Sequence, residues 1–434
     1  MGLKIAVIGA GSTYTPELID GFIRYQNRIP IDTLVFMDIF RWRLDTVGGM
    51  AQRMLDRAGY PLQIQLTTNR SEALDGADFV ITQIRVGGMA TRQADETIPP
   101  RYGVIGQETV GPGGIAKALR TIPVMLDIAH EMEQRSPQGW LINFTNPAGL
   151  ISEALWRHSR VKTLGLCNLP TNMRMEIAAA LNVPPDTVTL DYFGLNHLGF
   201  VRGVWVNGED YTTPALEATI DSLRRDHNPV FSPELITALG LIPSYYLTYF
   251  YHHDRMVAEQ RQAPQTRTER VREIEKELLK LYADPQQVEK PALLSERGGA
   301  HYSTAAVSLI ADMIENTGAT HIVNIMNQMT LPGLPPEAAV EVPCRITAEG
   351  AFPLPAAPIP PQVIGLIQAV KASEMLTIEA AVTGDKRTAL QALLAHPLVP
   401  SFSTAQSLLA TVLAEHRDYL PQFEAEFVTL EETQ

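Results

Sequence analysis

Ile5-Ala6-Val7-Ile8-Gly9-Ala10-Gly11-Ser12 is an apolar run that passes directly into a glycine turn. In an α/β protein this is the end of a first parallel strand, where absent side chains let backbone N–H groups approach a pyrophosphate at a helix amino terminus. The third glycine of the full dinucleotide fingerprint is missing, because Tyr14 occupies its place, so the turn alone is only moderately specific. Asp38 strengthens the reading. It follows the second apolar run, Leu34-Val35-Phe36-Met37, where a carboxylate accepts from the adenine ribose hydroxyls and favours NAD over NADP. A helix-capping role for Asp38 stays open, and Arg41 and Arg43 leave room for a 2′-phosphate. Gly9, Gly11, Ser12 and Asp38 are the expected cofactor-binding residues.

Outward from this turn, β-rich runs at Lys4–Ile8, Thr33–Met37, Phe79–Ile84, Leu141–Phe144 and Thr163–Leu166 alternate with longer helical segments. That alternation predicts a Rossmann-type doubly wound parallel sheet. Beyond about Val188 the texture changes to a strand pair, Thr189–Tyr192 and Leu198–Val206, followed by helices. The expected plan is an NAD-binding domain over residues 1–165 and a mixed α+β substrate- and metal-binding domain over 166–434. The charged run 265–280 reads as a solvated amphipathic helix without a functional role, and the Pro-rich stretch Phe352–Pro361 as a semi-rigid loop.

Composition narrows the partners. A 434-residue chain that is 45% hydrophobic buries a sizeable core, and its net charge of −13 disfavours nucleic acid and anionic membranes. The two cysteines, Cys167 and Cys344, form no disulfide framework and fit a reducing cytoplasm, and no apolar stretch reaches the length of a membrane span. Small molecules are the expected ligands.

Two residues in the middle of the chain carry possible metal chemistry. Cys167, in Leu166-Cys167-Asn168-Leu169-Pro170, lies just past a predicted strand, at the edge where open α/β sheets gather ligands. His197 lies in Gly194-Leu195-Asn196-His197-Leu198-Gly199. Taken singly, the first also reads as an apolar core cysteine and the second as a hydrogen-bonded structural histidine. As a pair they could hold a divalent ion with open positions, which a catalytic site requires.

Several motifs agree in order and spacing: Gly9-Ala10-Gly11-Ser12, Ile84-Arg85-Val86-Gly87-Gly88 with Arg92, the Gly106–Gly114 loop containing Glu108, Asn143-Phe144-Thr145-Asn146-Pro147, Cys167-Asn168-Leu169-Pro170 and Asn196-His197. Together they resemble the family 4 glycoside hydrolases, with Met1 to about Gly199 the best-matched part, and most closely the NAD- and manganese-dependent 6-phospho-β-glucosidases. The resemblance implies a lactate/malate dehydrogenase-like fold and hydrolysis without a carboxylate pair: NAD oxidises the sugar at C3, C2 is deprotonated, the C1 leaving group is eliminated, water adds and C3 is reduced again. It implies Cys167 and His197 as ligands of a divalent metal, Mn2+, and Tyr246 in Pro243-Ser244-Tyr245-Tyr246 as the C2 base, with Tyr245 its fallback. It further implies Glu108 as a group that adjusts tyrosine basicity, and Arg92, Asn146, Asn168 and Arg297 as contacts to a small phosphorylated sugar. Asn168, directly after the cysteine where α-acting members carry Asp, points to β-linked substrates. A homodimer or homotetramer is the assembly the resemblance implies. Other specificities within the family, and a lactate/malate-type dehydrogenase, are the competing readings; the latter would want a histidine relay and no metal.

Overall fold

In the computed structural model, which describes residues 2–298 and 302–424, the opening apolar run forms β1 (Leu3–Ile8), followed by β2 (Ile31–Met37), β3 (Ile64–Thr67), β4 (Phe79–Thr82), β5 (Trp140–Asn143) and β6 (Lys162–Gly165). They pair in the parallel order β3-β2-β1-β4-β5-β6. This is the doubly wound α/β order, whose strand order reverses between β1 and β4. Strands covered on both faces read as near-continuous apolar runs, and the last four residues of β1 and of β2 are buried. Edge strand β3 escaped the sequence reading because Ile64-Gln65-Leu66-Thr67 is short and only half apolar.

Two further strands, β7 (Val188–Leu195) and β8 (Leu198–Val206), form the expected hairpin, longer on its first arm than the sequence suggested. Small strands β9 (Glu209–Asp210) and β10 (Ile242–Pro243) flank β8. The sheet then continues: β11 (Thr320–Met326) runs antiparallel to β6, and β12 (Ala339–Thr347) and β13 (Gly350–Pro353) extend it to nine strands. The boundary expected at residue 165 thus falls at the end of β6, where the sheet changes from parallel to antiparallel. Residues 354–360 of the Pro-rich stretch have no regular structure.

The carboxy-terminal helices, Pro361–Thr383, Lys386–Ala395 and Phe402–Glu415, return to the amino-terminal half and cover the long helix Gly111–Arg135 and its neighbour Gly88–Arg101. A buried ion pair from Arg120 to Asp95, with His416 3.3 Å from the same carboxylate, ties them together. His396, between two of these helices, is buried and accepts a hydrogen bond at Nδ1 from the Leu398 N–H. Burial pushes its pKa from 6.5 down to about 4. The unfolded chain therefore binds a proton the native state refuses, and stability falls as pH drops from about 6.5 to about 4, by up to about 3 kcal/mol. His396→Asn keeps an acceptor without a titration. Urea unfolding between pH 4 and 7 should show a shallower loss of stability for this variant, and an unchanged slope would remove His396 from the acid response.

Candidate active site

The glycine turn is braced from both sides. Gly9 has φ +89°, and a side chain there would lie 2.9 Å from the Gln83 carbonyl oxygen; at Gly11 it would meet the Asp38 carboxylate at 2.7 Å. The N–H groups of Gly9 and Ala10 donate to the Met37 carbonyl at 2.9 and 3.0 Å, and that of Gly11 donates to Asp38 at 2.9 Å. These three N–H groups, expected to face a pyrophosphate, are instead spent within the protein, because the close β1–β2 pairing carries the turn against the end of β2. Asp38 also accepts from the Phe40 N–H at 3.0 Å, and each carboxylate oxygen keeps capacity for a further donor. Phe40 and Trp42, more than half exposed, stand on the solvent side of this corner. The Ser12 hydroxyl accepts from the Tyr14 N–H. Arg43 donates to the Gly11 carbonyl at 3.0 Å and lies 3.8 Å from Glu275.

Next to the turn lies a buried cluster of charge. Glu108, on the loop that opens the helix Gly111–Arg135, is paired with Arg85, with Lys117 at 2.8 Å and with Arg92 at 3.3 Å. Burial alone would raise its pKa, but Arg85, Lys117 and Arg92 overcome that and hold the carboxyl well below the usual range. The pKa of Lys117 is lowered as well, to about 7, by burial and by Arg85, which disfavours its charged form. Arg92 is itself buried and also paired with Glu96 at 3.0 Å, so it is no solvated surface ion pair. Arg297 donates to Glu275 at 2.9 Å and sits over the Tyr14 ring. Glu275 accepts from Thr13 at 3.2 Å, so the helix Arg267–Ala283, read from sequence as merely solvated, directs a carboxylate at the glycine turn. Burial first, then Arg92, Arg270 and Arg297, depress the basicity of Arg267. Its guanidinium thus lies close enough to three others to be opposed by them, a local positive charge that a phosphate dianion would relieve. Arg297 lies in Glu296-Arg297-Gly298-Gly299, of which Gly299 is outside the described residues.

Cys167 follows β6 and opens the helix Leu169–Leu181, where its sulfur accepts from the Leu169 N–H at 3.5 Å. It is buried, and burial first, then Glu341, pushes the thiol up to about 12. Asn168 places its amide oxygen 3.9 Å from that sulfur. His197 occupies the two-residue turn of the β7–β8 hairpin with φ +63°. Holding a non-glycine residue in the left-handed region costs about 1–3 kcal/mol, and such strain gathers at functional positions. Burial and, secondarily, Lys117 lower the His197 pKa to about 3, so the ring is neutral at pH 7, and its buried Nδ1 has no hydrogen-bond partner. A buried thiol and a neutral imidazole with a free Nδ1 are the donors a borderline divalent cation prefers. Among the described residues no group of three or more His, Cys, Asp or Glu side chains is placed to hold a metal, so a cation on Cys167 and His197 would need its remaining ligands from water or a small molecule.

Tyr246 stacks on His197, ring centroids 3.9 Å apart at 16°. Burial first, then Cys167 and Glu108, raises its pKa, while a hydrogen bond from the Thr109 side chain lowers it. Tyr245 is half exposed and meets Tyr246 edge-on. Asn146, before Pro147 in a cis peptide, keeps a buried Oδ1 without a partner. His197 also lines a small cleft of about 40 Å³, together with Thr109, Asn196, Phe250, Glu374 and His396. The structure therefore gathers Glu108 and Arg92 in one cluster and Cys167, His197 and Tyr246 in another, and sets Arg297 nearer the glycine turn. Sequence reasoning gave no role in the site to Arg85, Lys117, Arg267, Glu275 or the carboxy-terminal helices.

Comparison with known proteins gives a consistent result. The pattern of the "Family 4 glycosyl hydrolase" matches residues 4–183 and that of the "Family 4 glycosyl hydrolase C-terminal domain" residues 192–399. A probable 6-phospho-β-glucosidase of Bacillus subtilis is 44% identical over 97% of this chain and 98% of its own. The 6-phospho-β-glucosidase of Thermotoga maritima, solved with manganese, NAD+ and glucose-6-phosphate, superposes with a TM-score of 0.90 at 36% identity, covering 96% of this chain and 99% of that one. Lactate dehydrogenase of Eimeria maxima shares the fold alone, with a TM-score of 0.54 at 15% identity over 88% of this chain and 94% of its own.

Proposed function

The chain belongs to family 4 of the glycosyl hydrolases, and on that premise we propose that it is a 6-phospho-β-glucosidase dependent on NAD and a divalent metal, Mn2+ by analogy with its relative. The single observation that carries the reading is the neutral His197, its Nδ1 without a hydrogen-bond partner, stacked on Tyr246, with Cys167 acting electrostatically on the same tyrosine. A dehydrogenase has no need of that combination.

Bound NAD supplies a hydride acceptor for the sugar C3, and a cation on Cys167 and His197 supplies a Lewis acid for the C2 and C3 oxygens. The protein's residues do the rest. Tyr246 removes the C2 proton, with the Thr109 side chain favouring its phenolate once that hydroxyl turns from Gln107. Glu108, fixed as a carboxylate by Arg85, Arg92 and Lys117, sets the field in which that tyrosine titrates. The Arg92–Arg267–Arg297 group binds the 6-phosphate, while Asn146 and Asn168 orient the sugar hydroxyls. Asn168 beside Cys167 favours β-linked substrates. With Arg43 committed to Gly11 and Glu275, the corner around Asp38 suits an unphosphorylated ribose and hence NAD.

In this reading residues 1–165 hold the cofactor and residues 166–434 bring the metal ligands and the base. The setting is a cytoplasmic homo-oligomer, without nucleic-acid or membrane partners, in keeping with the acidic chain and two free cysteines; no helix among the described residues is long and apolar enough to cross a membrane. The test is to strip the protein with chelator and assay a chromogenic 6-phospho-β-glucoside with NAD and Mn2+ added separately and together, with C2-deuterated substrate alongside. Cleavage should need both additions and slow with deuterium. Cleavage without NAD, or net sugar oxidation in place of cleavage, overturns the proposal.

A further inference from the structure

Glu341 lies in the middle of β12, in Ala339-Val340-Glu341-Val342, and is fully buried. A charged residue there costs several kcal/mol unless something compensates it. Three neutral donors reach it: the Tyr192 hydroxyl at 2.7 Å on one oxygen, and the amides of Asn196 at 3.1 Å and Asn324 at 3.0 Å on the other. Among the described residues, the partners that act on it include no charged group. All three groups donate, which supports a carboxylate; burial outweighs them and raises its pKa to about 7, and a divalent cation nearby would favour the charged form. The architecture makes room for it, since a side chain at Gly199 would lie 1.9 Å from the Tyr192 hydroxyl oxygen. The network joins β7, β11 and β12 to the hairpin turn. Asn196 immediately precedes His197, and its side chain also hydrogen-bonds the Cys167 thiol, which feels the charge of Glu341.

We propose that Glu341 is a positioning residue for the metal centre: through Asn196 it fixes the turn that carries His197, and its buried negative charge strengthens the hold of Cys167 and His197 on a divalent cation. This rests on the reading of those two residues as ligands. Outer-shell groups that orient ligands typically carry 10- to 100-fold in metal affinity. A carboxylate with hydrogen bonds but no cation of its own is also the complement a bound divalent ion lacks at a site offering a single thiolate.

The test is the affinity of the chelator-stripped full chain for Mn2+ alone, read from the electron paramagnetic resonance signal of free Mn2+, in the natural protein and in Glu341→Gln, Tyr192→Phe and Cys167→Ser. Glutamine conserves the shape: its oxygen accepts from Asn196 and Asn324 while its amide donates to the Tyr192 oxygen. Glu341→Gln is expected to bind Mn2+ at least tenfold more weakly, with the melting temperature of the metal-free protein unchanged or raised, and Tyr192→Phe severalfold more weakly. A purely structural role gives the opposite pair, a lower melting temperature and unchanged affinity, and overturns the proposal. Should Glu341→Gln fail to fold, Tyr192→Phe decides, unchanged affinity counting against. If Cys167→Ser leaves binding intact, the ligand assignment itself falls; if Cys167→Ser weakens binding and Glu341→Gln does not, only the role of Glu341 does.

Discussion

Cys167→Ser should lower kcat/KM for a 6-phospho-β-glucoside roughly 1000-fold while leaving NAD affinity within about twofold. The physical reason is the state of the sulfur. Burial holds the thiol protonated in the metal-free protein, yet a thiol at a helix amino terminus beside a divalent cation gives up its proton readily. A serine hydroxyl in the same place does not ionise near pH 7, so the cation keeps His197 as its one strong protein donor. The dinucleotide corner at Gly9, Gly11 and Asp38 belongs to other elements, which is why cofactor affinity should separate from activity. Steady-state kinetics across a manganese titration, paired with NAD binding by calorimetry, makes the measurement. A loss smaller than tenfold at saturating manganese would remove Cys167 from the metal site.

What the sequence disclosed and what it withheld divide along physical lines. The parallel strands and the Gly9–Ser12 turn were legible because apolar continuity and the demand for small residues are local properties, written where they act. Cys167 and His197 were legible only through the motifs around them, since each alone also fits a core residue. The buried charges were not legible. Glu275 sits in a helix whose other acids and bases are largely solvated, and its turn toward Thr13 and Arg297 comes from how that helix packs on the sheet. Arg85 and Lys117 are ordinary cations in sequence; their pairing with Glu108 joins a strand end, a loop and the long helix. Glu341 did carry a signal, an acid between Val340 and Val342 in a strand buried along its first half, which contradicts the local pattern and so marks a compensated site. The carboxy-terminal helices read only as helices, because a single sequence does not say that one of them lines a cleft beside His197.

Tyr246→Phe should reduce kcat by about 10²- to 10⁴-fold, the usual span for loss of a positioned general base, and should abolish exchange of the C2 proton with solvent. Affinity for Mn2+ should change by less than about threefold, because the ring stacked on His197 remains and only the hydroxyl is lost. Tyr245→Phe supplies the comparison. Its hydroxyl belongs to a half-exposed side chain that meets Tyr246 edge-on, so a change within about threefold is expected. The contrast follows from charge. The Tyr246 hydroxyl lies in a site where burial first, and the Glu108 carboxylate with it, resist ionisation, so an ordinary tyrosine there stays protonated. A cation between Cys167 and His197 changes that balance, since positive charge next to a phenol favours its phenolate. As the proposed base, Tyr246 would therefore be poorly ionised until a cation filled the site, coupling proton abstraction to metal occupancy without a moving part. Exchange at C2 followed by mass spectrometry measures this coupling: it should require metal in the natural protein and be absent from Tyr246→Phe at any metal concentration. Exchange that persists in Tyr246→Phe and disappears in Tyr245→Phe would transfer the base to the neighbouring residue.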